Sequence, residues 1–464
     1  MRRTREESRI SGCGFFSFCV NPNRQFALWP LAWTGSGLVP CRFNLKKVEV
    51  MQVAVVGAGV VGVCTAYFLA EAGHEVVVIE RRNNVAEEAS FGDAGILAYD
   101  GALPPGLPGM PRALLSHLSK PASPIFFNRL LDPAMWRWIR RWRGECEESR
   151  YRQNHERTLR LAAYSRELMQ LLRERHQLDY EQNAGCLHLL RSEREMQLMQ
   201  PVLQFLNEHG IAHRLVDSEM ASRIEPALNT DTPLAGGLYF PQDESGNCPL
   251  FARQIRQQLQ AAGVEFIFGS EVQAIRQRDR GVSLHIDEQE FAADAVVLAS
   301  GADSARLLAP LGIGLPFQRV RSVALTAAIR NFESAPDAAL FDDTYQVAIT
   351  RMDQRVRVAG TLELGTRRGA ARQAALHTLF KAAADWFPNA CNYHNAAIWS
   401  GTSLMLPDGP PVIGATAVRN VFLNLGHGSQ GWTMAAGAGK LLADLIANRD
   451  TDIDPQGLTP SRYS

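Results

Sequence analysis

The run from Gln52 to Glu80 constrains this chain more than any other. Val53, Ala54, Val55 and Val56 read as a buried parallel strand. Gly57-x-Gly59-x-x-Gly62 follows, and a helical apolar period through Ala66 and Leu69 ends at Gly73. A second strand over Val76–Ile79 then leads to Glu80, 18 residues past Gly62. The spacing predicts a strand–turn–helix–strand unit of the dinucleotide-binding type. The first glycine allows the tight turn, the second lets a pyrophosphate approach the backbone, and the third lets helix and strand pack closely. The phosphates would rest at the turn formed by Val56, Gly57, Gly59, Val60, Val61 and Gly62, on the unpaired N–H groups of the helix start. Glu80, followed by Arg81, is placed to accept from a ribose hydroxyl. Residues 53–70 also carry no charge over 18 positions, the lower limit for a membrane helix. The glycines and the second strand favour the nucleotide unit over a span. The unit alone leaves FAD and NAD open, and its place at the start of a long chain favours FAD.

Composition narrows the partners. Lys+Arg and Asp+Glu are both 48, which argues against nucleic acid, since that would call for a basic excess. The 8 cysteines are scattered with no CxxC, so neither a metal site nor a secreted disulfide framework is expected, and a reducing cytoplasm fits. Residues 1–50 do not resemble the rest. They combine Arg2, Arg3, Arg5 and Arg9 with an irregular stretch broken by Pro30 and Pro40, show no strand or helix period, and lack the compact apolar run of a secretory signal. A poorly ordered extension is expected there. The remaining 464 − 50 = 414 residues suit one two-domain protein.

Further blocks follow in order: GAGVVGVCTAYFLAEAGHEVVVIER, EEASFGDAGIL, FPQDESGNCPLF, DAVVLASGADS, YQVAITRMDQRVRVAG, LPDGPPVIG and NVFLNLGHGSQGWTMAAGAGKLLADL. With them the chain from about Met51 to Tyr463 resembles the small, flavin-bearing subunit of bacterial D-amino-acid dehydrogenase, in the D-amino-acid oxidase-like superfamily. The resemblance implies an α/β fold: a Rossmann-like FAD-binding domain with a smaller β-rich substrate domain. It divides the chain into a discontinuous FAD domain (51–100, 145–183, 243–312 and 396–450), a helical insert (101–144), a substrate domain (184–242 and 313–395) and a tail (451–464). It implies FAD as cofactor, a small amino-acid-like substrate, oxidative deamination, and a quinone or respiratory-chain acceptor. The acceptor would place the protein in the cytoplasm or at the inner face of the plasma membrane.

Each block also has a physical reading. Small residues in EEASFGDAGIL allow backbone to approach a flat ring, with Ser90 and Gly95 as contacts, or form an ordinary loop. Residues 263–272 read as a strand, and the resemblance implies that Val272 meets adenine through its backbone. The short strand in 294–302 leads to Ser300 and Gly301, a second approach to the nucleotide. Val421–Leu423 reads as a strand followed by Gly426, His427, Gly428, Ser429, Gln430 and Gly431 and a helix to about Ala447. That helix start would aim its partial positive charge at the flavin pyrimidine edge.

The substrate side departs from the family. Where the family pattern W-x-G-x-R-P-x-x-P-D has its carboxylate-binding Arg, this chain reads Trp399-Ser400-Gly401-Thr402-Ser403-Leu404. The family's P-x-(K/R)-G-Y stands as Arg319-Val320-Arg321-Ser322-Val323, and Asp93 replaces a common Asn. Losing an Arg–carboxylate pair is not a conservative change. Either the substrate is a cyclic or N-substituted amino acid held by Arg321 or Arg351, or the protein binds flavin and has little activity, as a regulator would. Tyr345 matches a family Tyr whose hydroxyl would hold a carboxylate, or is a half-buried strand aromatic, and Arg351 and Arg357, on the same strand region, each also read as a surface cation. Finally, residues 134–143 place Met135, Trp138, Ile139 and Trp142 on one helix face, with Arg137, Arg140 and Arg141 away from it. Such a helix packs on the core or lies on a membrane surface.

Overall fold

The computed structural model describes residues 50–111, 122–127, 132–365 and 373–463, together with two short strands at Ala32–Thr34 and Gly37–Val39. Those two strands pair antiparallel, in a stretch whose sequence shows no strand period. The expectation of a poorly ordered extension otherwise falls outside the described residues.

The nucleotide-type unit forms as its spacing requires. Gln52–Val56, Val60–Glu71 and Glu75–Ile79 are strand, helix and strand. The two strands join a six-stranded sheet in the order Glu265–Ile267, Glu75–Ile79, Gln52–Val56, Ala295–Leu298, Val421–Leu425 and Val412–Ala415. The first five run parallel, and the last is antiparallel to its neighbour. Alternation along Gln52–Val56 divides two cores, because successive side chains leave a strand on opposite faces. Val53 and Val55 pack with residues of the helices Val60–Glu71, Glu148–His176, Cys248–Ala261 and Gly431–Ile446. Ala54 and Val56 pack toward a three-stranded antiparallel meander, Val272–Gln277, Val282–Ile286 and Gln289–Ala293. The uncharged run 53–70 is therefore a strand and a buried helix. Among the described residues, no helix is long and apolar enough to cross a membrane.

A second sheet of ten strands is built mainly from Asn183–Leu190, Gly236–Ser245, Gln318–Ala328, Val347–Met352 and Arg355–Leu364. Its buried side includes Leu187, Val323, Leu325, Val347, Ile349, Val356 and Val358, covered by the helix Gln373–Trp386. Ala397–Met405 is the edge strand of this sheet, hydrogen-bonded to Gln318–Ala328. The expected division had grouped it with the FAD-binding segments. Its mixed burial gives the sequence no period that would reveal its partner. In the helix Pro133–Glu145, Met135 and Trp138 are buried against Val320, Leu364 and Met405, with Ile139 and Trp142 beside them.

Candidate active site

A deep cavity lies at the C-terminal ends of the parallel strands, where open α/β sheets leave a crevice. Its outer half is the glycine turn. Val56, Gly57, Gly59, Val60 and Val61 line it. Gly57 turns the chain with a φ of 104°, and a Cβ there would sit 2.7 Å from the Ala299 carbonyl oxygen. Gly62 stays outside the cavity; a Cβ on it would collide with the Gly57 carbonyl, so it is the helix–strand contact that needs this glycine. A Cβ on Gly59 would meet only Ser90 Oγ, at 3.4 Å, which leaves this backbone open to the cavity. Ser90 Oγ in turn accepts from the Val60 N–H at 3.0 Å.

Glu80 lines the cavity, but both carboxylate oxygens are already engaged, accepting from Ala58 N at 2.7 Å and Arg82 N at 2.8 Å. It braces the turn from beneath. Arg81 pairs with Asp303 and, at 2.9 Å, with Glu88. Val272, Ser300 and Gly301 line the same half. The Val272 carbonyl accepts from Arg306 at 3.0 Å, and Ser300 Oγ lies 2.8 Å from Ser304 Oγ.

The inner half is bounded by Gly426, His427, Gly428, Ser429 and Gly431, at the start of the helix Gly431–Ile446. His427 is buried, and burial pushes its pKa down to about 3, so the ring is neutral. Among the described residues its Nε2 has no hydrogen-bond partner, and neither do Trp432 Nε1 and Asn424 Oδ1, on two further residues that line the cavity. Gln430 lies outside the lining and donates to the Leu103 carbonyl at 2.8 Å. Gly95 also lies outside it, and a Cβ there would press on Gly246 O at 2.8 Å and Thr350 Oγ1 at 3.0 Å.

The facing wall belongs to the ten-stranded sheet. Ser322, Gln346, Thr361, Trp399, Gly401, Thr402 and Ser403 all line it. The Trp399 indole lies where a Cβ on Gly92 or Gly401 would be, so the W-x-G spacing is a packing requirement. Between the two sheets runs the short 3₁₀ turn Ala89–Gly92, continuing to Asp93. Burial raises the Asp93 pKa to about 6, against the opposing pull of the Gly95 N–H and Arg357. Arg357 is buried, not a surface cation, and the strand pattern alone gave no sign of this.

Tyr345, Arg321 and Arg351 lie elsewhere. The Tyr345 ring is stacked under Arg191, whose guanidinium carbon lies 4.7 Å from the ring centroid. Arg321 is buried with Glu363, 3.8 Å away. Arg351 pairs with Asp337 at 2.9 Å. None of the three lines the cavity.

The FAD dependent oxidoreductase family, DAO, matches residues 52–445. The chain belongs to the DAO family of FAD-dependent oxidoreductases. It is 36% identical over 416 residues to a D-amino acid dehydrogenase of Vibrio atlanticus, covering 89% of this chain and 100% of that protein. A D-amino acid dehydrogenase of Granulibacter bethesdensis is 37% identical over 417 residues, with the same coverage. Among solved structures, glycine oxidase from Geobacillus kaustophilus superposes with a TM-score of 0.71 at 25% identity, over 90% of this chain and 100% of that one. These relatives are named as enzymes, and none of them supports a weakly active flavin-binding regulator.

FAD fits the DAO cavity on the structure's own terms. The Gly59 backbone leaves the opening a pyrophosphate needs, with the helix start Val60–Val61 behind it. The unpartnered polar atoms of His427, Asn424 and Trp432 sit on residues around the inner half, where a polar ring system would satisfy them. The residues that would hold FAD are those of the expected set that line the cavity, namely the glycine turn, Ser90, Val272, Ser300, Gly301 and Gly426, His427, Gly428, Ser429 and Gly431, whereas Gly62, Gly95 and Gln430 lie outside the lining.

Proposed function

We propose that the protein oxidises a D-amino acid, or a related cyclic or N-substituted one, to the imine. The substrate amine gives up a proton and Cα a hydride; water then hydrolyses the imine to a 2-oxo acid, releasing ammonia from a primary amino acid or the substituted amine from an N-substituted one, while a cyclic imine opens with its amine retained. FAD, when bound, supplies the acceptor for that hydride, and the electrons leave to a quinone or respiratory acceptor. The task of the chain is orientation and exclusion of water. The observation that carries this reading is one cavity walled on one side by the nucleotide turn and on the other by the polar strand row Gln346, Thr361, Ser322 and Ser403. Mixing the holoenzyme anaerobically with D-, L- and N-methyl amino acids tests it, through bleaching of the flavin absorbance. If none bleaches the flavin, the reading fails.

The helix Pro133–Glu145 supports a peripheral membrane site at the inner face of the plasma membrane. Its apolar stripe is spent on the core, and its outward face carries Trp136, 49% exposed, with Arg137, Arg140 and Arg141. A cationic face with an aromatic residue suits an anionic lipid surface. Replacing the three arginines together by Gln should release the protein from anionic liposomes; unchanged binding would end this part of the proposal.

A further inference from the structure

Thr361 carries two penalties at once. It has a φ of 57°, a left-handed conformation that β-branched residues seldom adopt. It is also fully buried, and its hydroxyl has no hydrogen-bond partner among the described residues. A buried hydroxyl left unpaired costs free energy, and strain of this kind persists where a site uses it. Thr361 lines the cavity, as does Gln346, which has a φ of 52° and accepts from the Thr361 N–H through its carbonyl at 3.4 Å. Against the other neighbouring strand the register shifts: Arg321 faces Glu363 and Val323 faces Gly360, so Thr361 and Leu362 form a bulge opposite Ser322. Bulges beside active sites re-aim side chains. Two left-handed residues, Thr361 in the bulge and Gln346 in the turn before Val347–Met352, therefore meet Ser322 on one stretch of wall.

We infer that the Thr361 hydroxyl anchors the substrate carboxylate, with the Ser322 hydroxyl beside it. The inference rests on the amino-acid reading above and adds the group that receives the carboxylate. An amino acid presents two polar ends. The amine suits an acceptor, and the Asp93 carboxylate on the loop wall provides one. The carboxylate needs donors, which Thr361 and Ser322 provide on the sheet wall. Neutral donors serve a carboxamide oxygen as well as a carboxylate, so the substrate class extends to amino-acid amides, which a guanidinium clamp disfavours.

The test uses holoenzyme and two variants at the same atom. Thr361→Val keeps the branched shape and removes the hydroxyl, whereas Thr361→Ser keeps the hydroxyl. Propionate, titrated against the flavin difference spectrum, reports carboxylate binding without turnover. Thr361→Val should retain wild-type FAD content and ligand-free spectrum while the propionate Kd rises roughly tenfold or more, the scale of a hydrogen bond to a charged group. Thr361→Ser should stay within about threefold of wild type, and Ser322→Ala should show a smaller loss than Thr361→Val. The amino acid that best reduces the wild-type flavin and its carboxamide should have half-saturation values within about tenfold of each other. If Thr361→Val binds propionate like wild type, or wild type does not bind it, the anchor is wrong. If Thr361→Val loses FAD or shifts the ligand-free spectrum, the hydroxyl serves the cofactor and the anchor is again wrong. A wild-type flavin that no amino acid reduces sinks the functional reading instead, while the propionate titration still judges the anchor.

Discussion

Arg357 donates a hydrogen bond of 3.0 Å to the carbonyl oxygen of Asp93. The same guanidinium reaches the Phe91 carbonyl at 2.9 Å and Thr326 Oγ1 at 2.7 Å. One side chain on the ten-stranded sheet therefore fixes the turn that forms a wall of the cavity. Replacing it by Met should cost about 2–4 kcal/mol, because several buried acceptors lose their donor together. Lys cannot reproduce the fork and should fail nearly as badly. Urea unfolding and FAD retention measure this; an Arg357→Lys protein equal to wild type in both would show that the bridge holds nothing.

The Asp93 carboxyl has its pKa raised to about 6, chiefly by burial. A carboxyl raised above its unfolded value binds protons more tightly in the folded state, so the fold is favoured at low pH. That advantage disappears as pH climbs from about 4 through 6. Asp93→Asn removes the titration. Relative to the variant, wild type should lose stability over that window, by at most about 3 kcal/mol, and the two should converge below pH ~4. Melting temperatures at pH 4, 5, 6 and 7.5 decide it, and parallel curves would contradict the burial argument.

Two glycines of one motif should fail differently. Gly62→Ala drives a methyl into the Gly57 carbonyl and should disturb the fold itself, visible as lost expression or a lower melting temperature. Gly59→Ala meets only Ser90 Oγ at 3.4 Å, so the apoprotein should melt normally while FAD affinity drops. Apoprotein melting and FAD titration together separate the two. Equal effects on both would mean that the open side of the turn is not where the phosphates rest.

Away from the cavity, His155 is buried with neither ring nitrogen partnered among the described residues, stacked 4.0 Å from the Phe205 ring. Burial, with a smaller contribution from His209, holds its pKa down at about 3. The unfolded chain therefore binds a proton that the folded chain refuses, and stability falls as pH drops from about 6.5 toward 3. His155→Phe should be at least as stable as wild type at pH 7 and gain further at pH 5. A smaller gain at pH 5 than at pH 7 would reverse the argument.

The parts legible in the sequence were those set by local geometry. The glycine turn, the strand before it and the helix after it follow from spacing within 30 residues, and the strand and helix flanking His427 follow in the same way. The substrate wall was harder to read. Arg351 and Arg357 stand six positions apart on adjacent strands, and nothing local distinguishes the exposed ion pair of one from the buried fork of the other. Tyr345 sits in the turn between Ala339–Asp342 and Val347–Met352, where its ring turns to Arg191 and not to the cavity. Thr361 gave no signal, because its bulge is defined by pairing with a strand some forty residues away and its hydroxyl lacks a partner among the described residues, neither of which a linear pattern records.

The strand Gln52–Val56 has Glu75–Ile79 on one side and Ala295–Leu298 on the other, and Val421–Leu425 lies beyond that. A ribosome that has just released the glycine turn must therefore add more than 350 residues before the fifth parallel strand exists. Until then the nascent chain holds an apolar edge, which must be shielded or remain open to wrong pairing. Closure of this crevice therefore comes late in synthesis, and cofactor supply bears on the yield of folded protein as well as on its turnover.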